Sequence, residues 1–287
     1  MPMKGAEQYI EYFATLICMY LGIDIGGTKT LVALFTKSGD VKQQLKFPTP
    51  DIYSDFLTEL QKTIAKFDLS DVDLTVTAVP GRLDRKKGIA LAYGNLTWGE
   101  ESIADDIKDI TKTRVLIEND ANLAGLYEAN KLKHKFNRVL YITISTGIGS
   151  GFIINGIIDP NFADAEVGHI LLEHDGKLQR WEDFASGKAI TKMFNKQARE
   201  IIDKSAWYLI SRNIALGLVD LIATLTPEVI VIGGGVGANL SKFEDKLTEE
   251  LNIFANDMIT VPPIVIASKP EEAVIFGCFE FAKKSTK

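Results

Sequence analysis

Asp24 stands at the mouth of a turn built from Gly26, Gly27, Thr28, Lys29 and Thr30, inside the run IDIGGTKTLVALF at residues 23–35. The pattern returns at residues 142–154, ITISTGIGSGFII, with Thr143 in the place of Asp24 and Ser145, Thr146, Gly147 and Gly149 around the turn. Each is an alternating apolar strand that breaks into small residues and resumes as a strand, which predicts a glycine-rich hairpin rather than a strand-to-helix turn. Phosphate suits such turns. Glycine lets backbone N–H groups converge on an anion, and Thr28, Thr30, Ser145 and Thr146 offer hydroxyl donors. A carboxylate so close to phosphates is repelled unless a cation lies between, so Asp24 implies magnesium, reached through bound water.

Asp120 closes the triplet Glu118, Asn119, Asp120, where a short apolar strand gives way to a helical stretch. At the C-terminal end of a strand it points where ligands of α/β proteins gather, and it can orient a hydroxyl nucleophile and accept its proton. The competing assignment is a helix N-cap, a common use of Asp. Glu166 and His169 are three residues apart, so on a turn of helix they share a face and can both bind vicinal hydroxyls. Their alternative is a surface glutamate beside a buried, satisfied histidine.

Taken in order, DIGGTKT, END, STGIGSG, EVGH and IGGGV resemble the ROK family of sugar kinases, within the superfamily of actin and hexokinase, over nearly everything after residue 18. The resemblance implies an α/β fold of two ribonuclease-H-like lobes, the actin-like ATPase fold, with an interdomain cleft. It implies ATP-dependent phosphorylation of a hexose at the 6-hydroxyl, glucose first, with N-acetylhexosamine, mannose or fructose as alternatives. Asp120 would be the catalytic base. Glu166, His169 and Glu182, the last in WEDFASG, would hold the anomeric end of the sugar, and Gly81, Asn95 and Asn119 its other hydroxyls. Many members follow EVGH with a cysteine-rich zinc loop, whereas residues 169–182 here read HILLEHDGKLQRWE, a shortened loop without cysteine, so no zinc is expected. Sugar-responsive repressors of the same family carry an N-terminal helix-turn-helix domain, which eighteen residues before Met19 are too few to form. A non-catalytic sugar-binding module is the remaining alternative, and retention of Asp24 and Asp120 speaks against it.

A third glycine turn, Gly233, Gly234 and Gly235 in GGGVGA, fits the GxGxxA dinucleotide fingerprint. That fingerprint also requires an acid closing the next strand, and PIVIAS at residues 263–268 ends in Ser268. These glycines are therefore expected to lie against adenine and ribose. The GTKT of the first turn is not a Walker A loop, because Thr28 separates Gly27 from Lys29.

The elements that must position these residues repeat. Strands are expected through the first hairpin, then at 41–47 and 74–79, with a helix at 51–67 between them. Residues 82–99 look irregular and polar, followed by a helix at 102–111 with Ser102 as its cap, a strand at 115–117 and a helix at 121–129. The second half is expected to place strands at 139–144, 149–154 and 157–158, helix over 187–225, a strand at 228–232, a helix at 240–254, a strand at 264–267 and a last helix from Glu271. The expected domains are 19–121, completed by the C-terminal helix 271–285, and 122–270, with 1–18 outside the fold. That leading stretch borders an apolar run, but Glu11 and the lack of a small-residue cleavage site argue against a signal peptide, leaving an upstream start codon or a short surface helix.

Composition narrows the partners. The formal charge is −6 and 46% of residues are hydrophobic, which opposes nucleic acid and anionic membranes and favours a packed core. Cys18 and Cys278 form no CxxC pattern, consistent with a reducing cytoplasm. The expected partners are thus a hexose and ATP with magnesium, with no nucleic acid and no membrane; a homodimer is left open.

Overall fold

The computed structural model describes residues 19–94, 96–133, 135–270 and 272–286. The expectations for residues 1–18, for Asn95 and for a helix start at Glu271 lie outside the described residues. The fold is mixed α/β, and the chain divides into two compact units. One holds the described residues up to Leu123 and from Val274 onward; the other runs from Ala124 to Ala273.

In the first unit, β1 (Met19–Ile25), β2 (Lys29–Thr36) and β3 (Val41–Pro48) form an antiparallel meander. α1 (Tyr53–Ile64) follows, then β4 (Val72–Val79), which pairs parallel with β1. β5 (Gly81–Asp84) and β6 (Ile89–Tyr93) make a separate hairpin, α2 (Ile103–Thr111) crosses back, and β7 (Arg114–Asn119) adds parallel to β4. The sheet order is β3-β2-β1-β4-β7. β1 is apolar on both faces because both are covered. Leu21, Ile23 and Ile25 pack with Phe56 and Leu60 of α1, while Tyr20 faces Ile275 and Phe279 of the C-terminal helix Ala273–Ser285.

The second unit repeats the plan. β8 (Arg138–Ile144), β9 (Ile148–Ile154) and β10 (Ile157–Ile158) form the meander, and β13 (Val229–Gly233) and β14 (Ile264–Ile266) add in parallel, giving the order β10-β9-β8-β13-β14. α3 (Asp120–Lys131) precedes β8, and a hairpin of β11 (Leu171–His174) and β12 (Lys177–Arg180) leads into α4 (Trp181–Ala185) and α5 (Gly187–Phe194). α6 (Lys204–Leu225), α7 (Gly234–Gly237) and α8 (Glu244–Phe254) complete the unit. α6 is long and apolar enough to cross a membrane by length and composition. Its Trp207, Ile210, Ile214 and Leu218 nevertheless lie in the core of this unit beside Trp181 and Phe243.

Several expectations are corrected. Residues 82–99 include the β5–β6 hairpin: Leu83 and Ala90 are buried, while the charged turn between them, closed by Lys87 N donating to Asp84 Oδ1 at 3.0 Å, masks the alternation. The long helical region expected over 187–225 is two helices with a break between them. Asn195 turns left-handed at φ 50° to end α5, and Asp203 starts α6 afresh by accepting from Ser205 N at 2.9 Å. Ser102 makes no side-chain cap bond; its carbonyl accepts instead. A 3-10 turn at Leu240–Lys242 precedes α8, which starts at Glu244 rather than 240.

Candidate functional site

The β1–β2 turn in the first unit closes through Gly26 N donating to Lys29 O at 3.1 Å. Thr49, just past β3, holds it in place: its Oγ1 donates to Gly26 O at 2.7 Å and lies 2.9 Å from Thr30 Oγ1, while its N–H donates to Thr28 O. Thr30 is fully buried, so its hydroxyl braces the turn from behind instead of facing a ligand. Thr28 and Lys29 are exposed. Asp24 is partly buried beside this turn, and its carboxyl is pushed up to about 7, by burial first and then by the charge of Asp120, with Lys29 and Lys46 pulling the other way. Ionising Asp24 therefore weighs against the fold increasingly as pH rises from the ordinary carboxylate value of about 4 to about 7, the range in which the folded chain holds a proton the unfolded chain releases. A cation placed there would remove that penalty.

The influence of Asp120 on Asp24 follows from the sheet. Asp24 pairs with Ala78 of β4, and Ala78 with Glu118 of β7, so Asp24 near the C-terminal end of β1 and Asp120 just past the C-terminal end of β7 lie on the same edge of the sheet, with β4 between them. Asp120 is the first residue of α3, not its cap. Asn119 fills that place, its Oδ1 accepting from Ala121 N at 2.9 Å and Asn122 N at 3.3 Å, and its Nδ2 donating to Gly81 O at 3.2 Å. Gly81 has φ +114°, and a Cβ there would lie 2.2 Å from Ala92 O, so the close approach of β5 to β6 requires glycine at the residue that bonds Asn119. The structure thus groups Asp24, the Gly26–Thr30 turn, Gly81, Asn119 and Asp120 in one unit.

The second unit groups the others. Its β8–β9 turn closes through Ser145 N donating to Gly147 O at 2.9 Å, and leaves Ser145 and Thr146 exposed. Gly149, the second residue of β9, lies opposite Thr143. The Glu182 carboxylate rests on Gly147: a Cβ built there would meet Glu182 Oε2 at 2.7 Å. His169 Nε2 lies 3.4 Å from Glu182 Oε1, and Glu166, one residue before the 3-10 turn Val167–His169, is held above its usual range by desolvation, with Glu182 adding to the rise and His169 opposing it. These three residues share one electrostatic neighbourhood. Gly234 follows β13 at φ +78°, packed so that a Cβ would sit 2.5 Å from Ile144 O; beside it Gly235 faces open space and Gly233 lies against Tyr141.

Three residues without a motif also belong here: Thr49, Lys46 and Arg180. Arg180 reaches Glu182 Oε1 at 3.2 Å while its guanidinium grips Asp183 through Nε at 3.1 Å and Nη2 at 2.7 Å. It ends the β11–β12 hairpin, which stands where a shortened loop was expected. The signal for that hairpin was the Asp175-Gly176 pair, both at positive φ (52° and 73°), a common two-residue strand connection. His174 is engaged inside, stacked on Phe184 at 4.1 Å with Nε2 3.3 Å from Asn213 Oδ1.

A model of the ROK family matches residues 20–285. An N-acetylmannosamine kinase of Vibrio vulnificus is 31% identical over 265 residues, covering 79% of this chain and 88% of its own. A glucokinase of Halalkalibacterium halodurans is 26% identical over 269 residues, with 76% and 80% covered. Among solved structures, a ROK family glucokinase from Streptomyces griseus in complex with glucose and AMPPNP shares the fold with a TM-score of 0.78 at 22% identity, over 93% of this chain and 99% of that one.

Proposed function

The chain belongs to the ROK family, and we propose that, as a sugar kinase, it transfers the terminal phosphoryl group of ATP to the 6-hydroxyl of a hexose, glucose before any other. The observation that carries this reading is the placement of Asp24 near the C-terminal end of β1 and Asp120 just past that of β7, close enough for Asp24 to feel the charge of Asp120. One acid beside a glycine turn serves the phosphates; the other, aimed by a capping Asn119, serves the hydroxyl. Glu166, His169 and Glu182 are assigned to the anomeric end of the sugar, Gly81 and Asn119 to its other hydroxyls, and Asn95 is proposed with them. The turns at Gly26–Thr30 and Ser145–Gly149 are assigned to phosphate, and Gly233–Gly235 to adenine and ribose, where the open space at Gly235 leaves room.

Magnesium fits this donor set. Among the described residues no group of three His, Cys, Asp or Glu is arranged to hold a metal, and an ion near Asp24, reached through bound water, would be held mainly by phosphate oxygens and water, the usual habit of magnesium with nucleotides. Bound there, it neutralises charge on the transferred phosphoryl group. Asp24→Asn is expected to raise the magnesium concentration needed for half-maximal rate by about 10-fold, the scale of one lost charged contact of about 1.4 kcal/mol. A magnesium titration of both proteins checks this; a defect that no magnesium concentration alters would separate Asp24 from the metal.

The choice of glucose rests on the glucokinases among the relatives, and N-acetylmannosamine kinase is a relative too. Arg180, at the end of the β11–β12 hairpin, contacts Glu182, so this hairpin is assigned to the surroundings of these hydroxyls. The test is sugar-dependent ADP release, with kcat/KM compared across glucose, mannose, fructose and N-acetylated hexosamines at fixed MgATP. Glucose is expected to lead. A clearly higher value for any of the others replaces the sugar and leaves the kinase; silence with all of them removes the reaction.

A further inference from the structure

We infer that Arg85 and Glu118 form a clamp that positions Asn119 and Asp120, making Arg85 a positioning residue for phosphoryl transfer. The inference rests on the proposed role of Asp120. Glu118 ends up almost wholly inside, its side chain 4% exposed, and its carboxylate receives four donors. Arg85 gives two of them in a fork, Nε to Oε2 at 2.8 Å and Nη2 to Oε1 at 2.6 Å. The other two are Asn119 N to Oε1 at 2.7 Å and Asn122 Nδ2 to the same oxygen at 3.0 Å.

The location gives these bonds their meaning. Successive residues of a strand point to opposite faces, so Glu118 on β7 turns away from the face that Asn119 uses, and touches the junction from behind. Its bonds fix the amide of Asn119 and the first turn of α3 through Asn122, so they hold the chain before and after Asp120. Arg85 lies in the turn after β5, and β5 begins with Gly81, whose carbonyl accepts from Asn119. The β5–β6 hairpin therefore meets the β7–α3 junction twice, once at Gly81 and once at Arg85. A bidentate guanidinium fixes direction as well as distance, which an ammonium does not.

A clamp of this kind acts on rate through geometry, because small displacements of a catalytic group lower turnover by factors of 10 to about 10². The experiment is a double-mutant cycle on the full chain, with kcat per folded molecule and KM for hexose and MgATP measured for Arg85→Met, Asp120→Asn and the pair. Arg85→Met is expected to lower kcat by about 10- to 10²-fold alone, and by less than about 3-fold when Asp120 is already Asn, with KM for MgATP changed by less than about 2-fold in both backgrounds. Arg85→Lys, which keeps the charge and loses the fork, should show a smaller loss of about 3- to 10-fold with the same dependence on Asp120. If Arg85→Met does not fold, the cycle is run with Arg85→Lys. Equal losses in both backgrounds, or a kcat for Arg85→Lys indistinguishable from the parent, overturn the clamp while the kinase reading stands. A parent chain inert with every hexose, or an Asp120→Asn chain with near-normal turnover, removes the site reading and the clamp with it.

Discussion

Asp120→Asn is expected to lower kcat by about 10²- to 10⁴-fold, roughly 3 to 5 kcal/mol of barrier, the usual worth of a positioned general base. Hexose affinity and thermal stability should change little, for a reason visible in the structure. The cap of α3 is Asn119, and the bond that the Asp120 carboxylate accepts from Ala121 N at 2.8 Å can be kept by an amide oxygen. The substitution also removes a neighbouring negative charge from Asp24, which should help magnesium bind rather than hinder it. Steady-state kinetics with hexose binding by calorimetry checks both halves. Near-normal turnover would take Asp120 out of the chemistry.

A hexose analogue lacking the anomeric hydroxyl is expected to lose at least about 10²-fold in kcat/KM relative to glucose. A fully buried site built to bond that hydroxyl can reject the deficient analogue by about 10⁴- to 10⁵-fold, because its polar groups are left unpaired. Here the penalty should be smaller. The His169 side chain is 54% exposed and Glu182 21%, so water can partly replace the missing group. Glu166 is held above the usual carboxylate range by burial, so it gains from a hydroxyl partner and Glu166→Gln should flatten the discrimination. Equal use of glucose and the analogue would show that this cluster does not hold the anomeric end.

The two hairpins, the repeated plan of the halves and the strand-to-helix place of Asp120 follow from the sequence alone, because each depends on a local rule. Alternation predicts a strand, glycine permits a turn, and both hold whatever surrounds them. Where the signal was short or charged, it was missed: Leu83 and Ala90 alternate for too few residues among Arg85, Lys86 and Lys87, and Asp175-Gly176 was passed over as loop. The long helical region expected over 187–225 left its internal break unmarked, because the αL and capping preferences of Asn195 and Asp203 are local but weak beside a long apolar run. Tertiary structure alone decided which polar groups are available and which are committed. Thr28 and Thr30 have the same side chain two residues apart, yet Thr30 is buried against Thr49 because the β2–β3 register brings Thr30 opposite Phe47, two residues before Thr49. In the same way Asp24 and Glu118 are both carboxylates at strand ends. One is raised toward neutrality by burial near another acid, whereas the other is satisfied by an arginine 33 residues away. Such outcomes depend on which distant groups a fold brings within about 3 Å, and separation along the chain carries no record of that distance.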